Sequence, residues 1–254
     1  MTPNLKNELE FLLPQVKESE WPGYEFVKGY GVFGLPLSSG HTVALRVFPV
    51  NNFAPYITIW HQTPDKKWTI YYDAVRPDIA CPRYYGNAVD KVSRAKICLQ
   101  WKSNSELFIK MEEPRLEWTI KLHEPFYLRM INAVSKQMPL WTWKQSYLLT
   151  FREWMAYLLG VGKIKLKGYM PSGHLGTLMP QRMYFVKSTQ IKLDGLDLGH
   201  EVHVYPNPKI GDVPLPARGI FAIGQAYWEI IDFGEYNQTK KELSYRSADV
   251  MVDC

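Results

Sequence analysis

The stretch Leu116-Glu-Trp-Thr-Ile-Lys-Leu122 alternates apolar and polar side chains without interruption. Its four apolar residues would project to one side and its three polar residues to the other. A two-residue period is that of a β-strand with one face in the core and one face in water. The segment therefore predicts a half-buried antiparallel strand, and the fold class depends on whether its neighbours share this pattern.

The same alternation recurs along much of the chain. It is present at 42–48, 56–61, 68–73, 95–101 and 107–111, and strongly apolar segments follow at 182–193 and 220–231. About nine to eleven short strands separated by turn residues are typical of an antiparallel barrel or of two packed sheets. The regular strand–helix alternation of a parallel sheet is not seen in the sequence. We therefore predict a mainly β fold.

A helical period replaces the strand period after Pro125. The first predicted helix covers residues 126–138, and the second covers about residues 143–159 with aromatic side chains around a wide arc. Together they predict a helical insertion at about residues 126–160. The chain is then predicted to form either a single β-rich domain over 1–254 or two packed β halves, 24–123 and 163–233, joined by the helical insertion.

The strand pattern resembles that of a lipocalin-type barrel, although no lipocalin signature motif is present in the sequence. The resemblance implies a barrel whose cavity binds an apolar small molecule such as a lipid, an isoprenoid or a polyketide. Bulky rings and one strand-embedded arginine are the expected ligand-binding residues. They are Trp68, Tyr72, Tyr85, Trp118, Arg182 and Trp228.

A second hypothesis is a cofactor-independent isomerase, hydratase or cyclase on the same scaffold. Tyr71 and Asp73 share one strand face, and His61 ends a strand whose alternate residues are apolar. Arg83, in the ACPRYYG stretch at 80–86, can pair with an acid and stack on a ring. These four side chains are the candidate proton donors and acceptors. The simpler interpretation is that Arg83 bridges Asp73 and only holds the corner together.

A third hypothesis is a peripheral membrane or protein-interaction module. The Trp-rich segment 141–159 is followed by Lys-Ile-Lys-Leu-Lys at 163–167, which we interpret as a strand with three lysines on one face. Aromatic residues beside basic ones are typical of helices that lie in a membrane interface. The alternative is that these rings pack across the open face of the sheet.

Several classes of function are not expected. The net charge is +5 without a block of basic residues, so nucleic acid is not an expected partner. The six histidines lack chelating spacing, so neither a metal nor a cofactor is predicted. Gly-Tyr-Gly-Val-Phe-Gly at 29–34 indicates a glycine-rich bend between early strands rather than a dinucleotide loop. Three cysteines without a CxxC pair, and an N-terminus without an apolar signal-like segment, predict a cytoplasmic protein.

Overall fold

The computed structural model describes residues 4–10 and 12–244 of the chain. The helices are α1 (Leu5–Leu9), α2 (Pro82–Tyr85), α3 (Phe126–Lys136), α4 (Ser146–Leu158) and α5 (Phe233–Ser244). The strands are β1 (Gln15–Val16), β2 (Tyr24–Pro36), β3 (Thr42–Asn51), β4 (Tyr56–Gln62), β5 (Trp68–Asp73), β6 (Lys91–Arg94), β7 (Ile97–Ser103), β8 (Glu106–Met111), β9 (Leu116–His123), β10 (Lys167–Tyr169), β11 (Leu175–Leu193), β12 (Leu196–Asp197), β13 (Lys209–Ile210), β14 (Val213–Pro214) and β15 (Ile220–Glu229).

One long sheet organises the fold. Its strands are bonded in the order β6-β5-β4-β3-β2-β15-β11-β9-β8-β7, and the sheet curls into a half-barrel. Most pairs are antiparallel, but β5 and β6 run parallel, so the sheet is mixed. The prediction of a mainly β, lipocalin-like barrel with a helical insertion is confirmed. Strands from 24–123 and from 163–233 lie in this one sheet, because β2 pairs with β15 and β9 with β11.

The concave side of the sheet holds the largest apolar cluster. Alternate residues of nine of the strands meet there, and Trp118 and Ile120 are completely buried. Helix α1 adds Leu5 and Leu9 to the same cluster. We call this surface the inner wall. Side chains that alternate between apolar and polar along the sequence therefore point alternately to the inner wall and to the outside of the sheet.

The outside of β3 and β4 is also covered. Every residue of both strands is buried, because Phe48, Tyr56 and Trp60 pack under α2 and the segment around 210–215. Burial on both faces explains why Arg46 is the one Asp, Glu, Lys or Arg residue in these two strands.

The glycine-rich segment lies within β2, so the predicted bend is wrong. A Cβ atom on Gly29 would meet the carbonyl oxygen of Val47 at 1.9 Å, and one on Gly31 would meet that of Leu45 at 2.0 Å. Glycine lets the backbones of β2 and β3 approach closely at these two positions.

The helical insertion forms as predicted, but the strand predicted at 163–167 is wrong. Only Lys167 belongs to a strand, and residues 163–166 form a loop with bends at Lys163 and Leu166. The backbone N–H of Leu166 donates to the Glu153 carboxylate at 2.7 Å, and its carbonyl accepts the N–H of Leu178 of β11 at 2.6 Å. The loop therefore packs between α4 and β11, with buried Leu166 between exposed Lys165 and Lys167.

Candidate functional site

A cavity of about 990 Å³ opens at one end of the inner wall. Its walls are the ends of β2, β3 and β4, the corner between β6 and β7, and the N-terminal segment 6–14. We call it the mouth cavity. Apolar side chains from five of these elements form its floor: Leu9, Tyr30, Val47, Ile57, Ile97 and Trp101.

The cavity exists because the sheet does not close with a ladder of backbone bonds. Strand β6 is four residues long and is followed after only two residues by β7, at the opposite edge of the sheet. The N–H of Ala95 donates to the carbonyl of Tyr72 at 3.0 Å and continues the β5–β6 pairing by one residue. The N–H of Ile97, the first residue of β7, donates to the Asp73 carboxylate at the end of β5 at 2.9 Å, and this hydrogen bond links the two edges at the corner.

The floor and the rim of the mouth cavity differ in polarity. Charged residues lie at the rim, among them Lys6 and Glu10, whose side chains form an ion pair at 3.8 Å. On the floor, burial raises the pKa of Tyr30 to about 12, and the charge of Glu10 adds to that rise while Trp101 opposes it. The floor therefore presents a neutral phenol at physiological pH.

The four predicted proton-transfer residues do not come together. Asp73 lines the mouth cavity, and Tyr71 lies half-buried against the inner wall on the same strand, where burial raises its pKa. His61 is on the inner-facing side of β4, where it pairs with Thr69, two positions beyond the Ile59–Tyr71 pair. Its Nε2 is 2.8 Å from Nδ1 of His41, and burial, followed by the effect of His41, lowers the pKa of His61 to about 4.

Arg83 pairs with Glu25, not with Asp73 as the simpler interpretation required. Its guanidinium donates to both oxygens of the Glu25 carboxylate at 2.7–3.0 Å, and both side chains are almost fully buried. The Tyr84 hydroxyl donates to the same carboxylate. The ACPRYYG stretch therefore forms a buried ionic anchor that attaches α2 to β2.

None of the six predicted ligand-binding residues lines the mouth cavity. Trp118 is part of the packed inner wall, and its indole N–H donates to Thr189 Oγ1 at 3.0 Å. Arg182 forms an ion pair with Glu8 of α1. The other four lie outside the sheet in the cluster beneath α2, or beside it: Trp68, Tyr72, Tyr85 and Trp228.

A smaller apolar slot lies on the outside of the sheet. Tyr85 and Trp228 line it together with Arg46, whose guanidinium is held by the carbonyl oxygens of Val32, Leu45 and Phe33. Its volume is about 80 Å³, well below the roughly 300–1,000 Å³ of pockets that hold drug-sized ligands. The mouth cavity is therefore the better candidate site.

Tyr30, Trp101 and the N-terminal residues were missed as site residues. The alternation at 95–101 assigned Trp101 to the apolar face, but that signal does not separate a cavity wall from a packed core. For Leu9 and Leu12 the sequence carries no such signal, because their place depends on where segment 6–14 crosses the end of the sheet.

These features define a curled β half-barrel that is compatible with a ligand-binding barrel. Comparison of the chain with protein-family models, with curated proteins and with solved structures gives no significant match. Any function proposed for the mouth cavity therefore rests on the residues that line it.

Proposed function

We propose that the protein binds an apolar small molecule reversibly in the mouth cavity. The observation that carries the proposal is the size and lining of that cavity. About 990 Å³ lies at the upper end of the range for small-molecule pockets, and the floor is aliphatic and aromatic while the charges lie at the rim.

The lining favours a ligand with a long apolar part and one polar end. Val47, Ile57 and Ile97 offer aliphatic contacts, and the rings of Tyr30 and Trp101 lie 6.5 Å apart at the floor. A lipid, an isoprenoid or a polyketide has this chemistry, with its polar end among the rim charges. Each 100 Å² of apolar ligand surface removed from water would contribute about 2.5 kcal/mol before the cost of association is subtracted.

A cofactor-independent enzyme has less support from the geometry. Acid–base catalysis needs two groups that reach the same bound molecule. Asp73 is at the mouth cavity and already accepts the N–H of Ile97, whereas His61 and Arg83 are engaged elsewhere. Binding without turnover is therefore the function that the site supports better.

A cavity-filling substitution tests the proposal. Leu99 is half-buried and lines the mouth cavity, so Leu99→Trp would occupy space that the ligand needs. With N-phenyl-1-naphthylamine as a fluorescent apolar probe, we expect saturable binding by the wild type and a Kd raised about tenfold or more in the variant. Native mass spectrometry of protein purified from its host should also show a retained apolar molecule.

Leu196→Trp is the matched control, because Leu196 is exposed and outside the cavity. It should bind the probe like the wild type. The proposal fails if the probe does not bind the wild type saturably. It also fails if a folded Leu99→Trp protein, checked by near-UV circular dichroism, retains wild-type affinity.

A further inference from the structure

The outward sides of α3 and α4 carry large apolar side chains that the fold leaves uncovered. Six of them are between 54% and 75% exposed: Phe126, Met130, Val134, Phe151, Trp154 and Leu158. We call this surface the aromatic face. Contiguous apolar surface of this extent on a folded protein marks an interaction site more often than chance exposure.

The two helices are already attached to the sheet by their other sides. Leu128 of α3 and Ala156 of α4 belong to one buried cluster with Phe185 and Ile220. Both helices therefore pack on the same cluster, and their exposed apolar side chains lie on the sides turned away from it. At about 100° per residue, the exposed side of α4 covers roughly 140° of its circumference, and none of its exposed residues is charged. A surface helix ordinarily places its polar residues there.

The segment that contains both helices has an excess of basic residues. Residues 126–169 contain seven Lys and Arg and one acid, Glu153, whereas the whole chain contains 30 and 25. Subtraction leaves 23 basic and 24 acidic residues elsewhere, so this segment carries +6 and the remainder −1. One of the seven, Arg129, forms an ion pair with Glu124 just before the segment.

Three of those lysines follow α4 directly. Lys163, Lys165 and Lys167 are exposed along the loop that leads from α4 into β10. An apolar, aromatic surface bordered by lysines is complementary to a bilayer interface, where rings enter the headgroup region and lysines meet acidic lipids. None of the described helices has the length and apolar run needed to cross a bilayer, so contact would be with its surface.

We propose that the aromatic face docks on a bilayer surface that contains anionic phospholipids. A second copy of the chain is a poorer occupant, because a symmetric dimer through this face would bring two segments of +6 together. An anionic lipid surface supplies the opposite charge and covers the rings. This proposal does not depend on ligand binding in the mouth cavity.

Vesicle flotation tests the proposal with two compositions, pure phosphatidylcholine and a 7:3 mixture of phosphatidylcholine and phosphatidylserine. We expect the wild type to float with the mixed vesicles and at least about tenfold less with the neutral ones. Trp154→Glu should lower the partition coefficient on mixed vesicles about tenfold or more. Lys163→Gln, Lys165→Gln and Lys167→Gln combined should do the same, because each lysine near such a surface contributes about fivefold.

Matched variants separate the face from general effects. Tyr205→Glu replaces an aromatic residue that is 80% exposed outside α3 and α4 and should float like the wild type. Lys110→Gln, Lys187→Gln and Lys192→Gln combined remove the same charge from exposed positions elsewhere and should retain most binding. Each variant must show the thermal midpoint of the wild type.

Two results would overturn the proposal. The first is a wild type that does not float with mixed vesicles, or that floats equally well in folded Trp154→Glu. The second is a wild type that is dimeric by light scattering and becomes monomeric in Trp154→Glu, which would show that the face binds a second copy.

Discussion

The inner wall and the aromatic face are built from the same kinds of residue and differ completely in exposure. Trp118 on the inner wall is 0% exposed, whereas Trp154 on α4 is 54% exposed. Both residues occupy clear positions in a periodic pattern. The period therefore assigns a side chain to a face of its own element, and only the arrangement of elements determines whether that face is covered.

The sheet covers its own concave face by curling, so that each strand buries its alternate residues against the others. Helix α4 lies on the outside of the sheet, and nothing in the described part of the chain lies beyond it. Substitutions at matched buried and exposed positions test this contrast, and the largest loss of stability is expected on the inner wall.

Trp118→Ala should lower the free energy of unfolding by about 3–5 kcal/mol, because it leaves a cavity in the inner wall and removes the hydrogen bond from the indole to Thr189. The same substitution at Trp154 should change that free energy by no more than about 0.5 kcal/mol. Urea unfolding followed by far-UV circular dichroism measures both. Equal losses in the two variants would show that the aromatic face is covered in solution.

Glu25→Gln extends the comparison to a buried charge. The substitution removes the buried one of the two carboxylates that pair with Arg83 and leaves exposed Glu235, so it should cost about 3 kcal/mol in the same unfolding assay. Glu117 pairs with Arg115 at 2.7 Å on the surface, and Glu117→Gln should unfold at nearly the same urea concentration as the wild type. A loss below about 1 kcal/mol in Glu25→Gln would contradict the assigned anchor.

The free energy of unfolding should also depend on pH, because His61 is buried on the inner side of β4. Its pKa in the folded protein is about 4, below the value of about 6.5 expected in the unfolded chain. Between these values the unfolded state binds more protons, so stability falls as the pH is lowered from about 7. The loss by about pH 4.5 should be about 2 kcal/mol, and His61→Gln should flatten the curve. Parallel curves for the two proteins would show the prediction to be wrong.

Much of the fold could be predicted from local patterns. Alternation at 116–122 identified β9 and its inner side, and the change of period after Pro125 located α3 and α4. These features depend on neighbours within one element. The strand predicted at 163–167 failed because the loop after α4 also alternates buried and exposed side chains, so alternation alone does not identify a strand.

The candidate site was predicted less well, for a physical reason. Asp73 was predicted as a catalytic residue from the strand face that it shares with Tyr71; it does line the mouth cavity, and its catalytic role stays a prediction. The aromatic ligand-binding residues were predicted from residue type alone. Trp118 packs in the inner wall and Trp228 in the cluster beneath α2, and neither lines the mouth cavity. Where a packed wall becomes an open cavity depends on how the two sheet edges meet, and that contact is non-local.

The way those edges meet also determines how easily the entrance of the mouth cavity can widen. Widening a fully closed barrel would break a continuous ladder of backbone bonds along a strand. In this protein the hydrogen bond from Ile97 to the Asp73 carboxylate links the two edges at the corner between β6 and β7. A hydrogen bond to a charged group contributes about 1.5–3 kcal/mol net, so widening the entrance for a bulky guest would cost less than unfolding the protein.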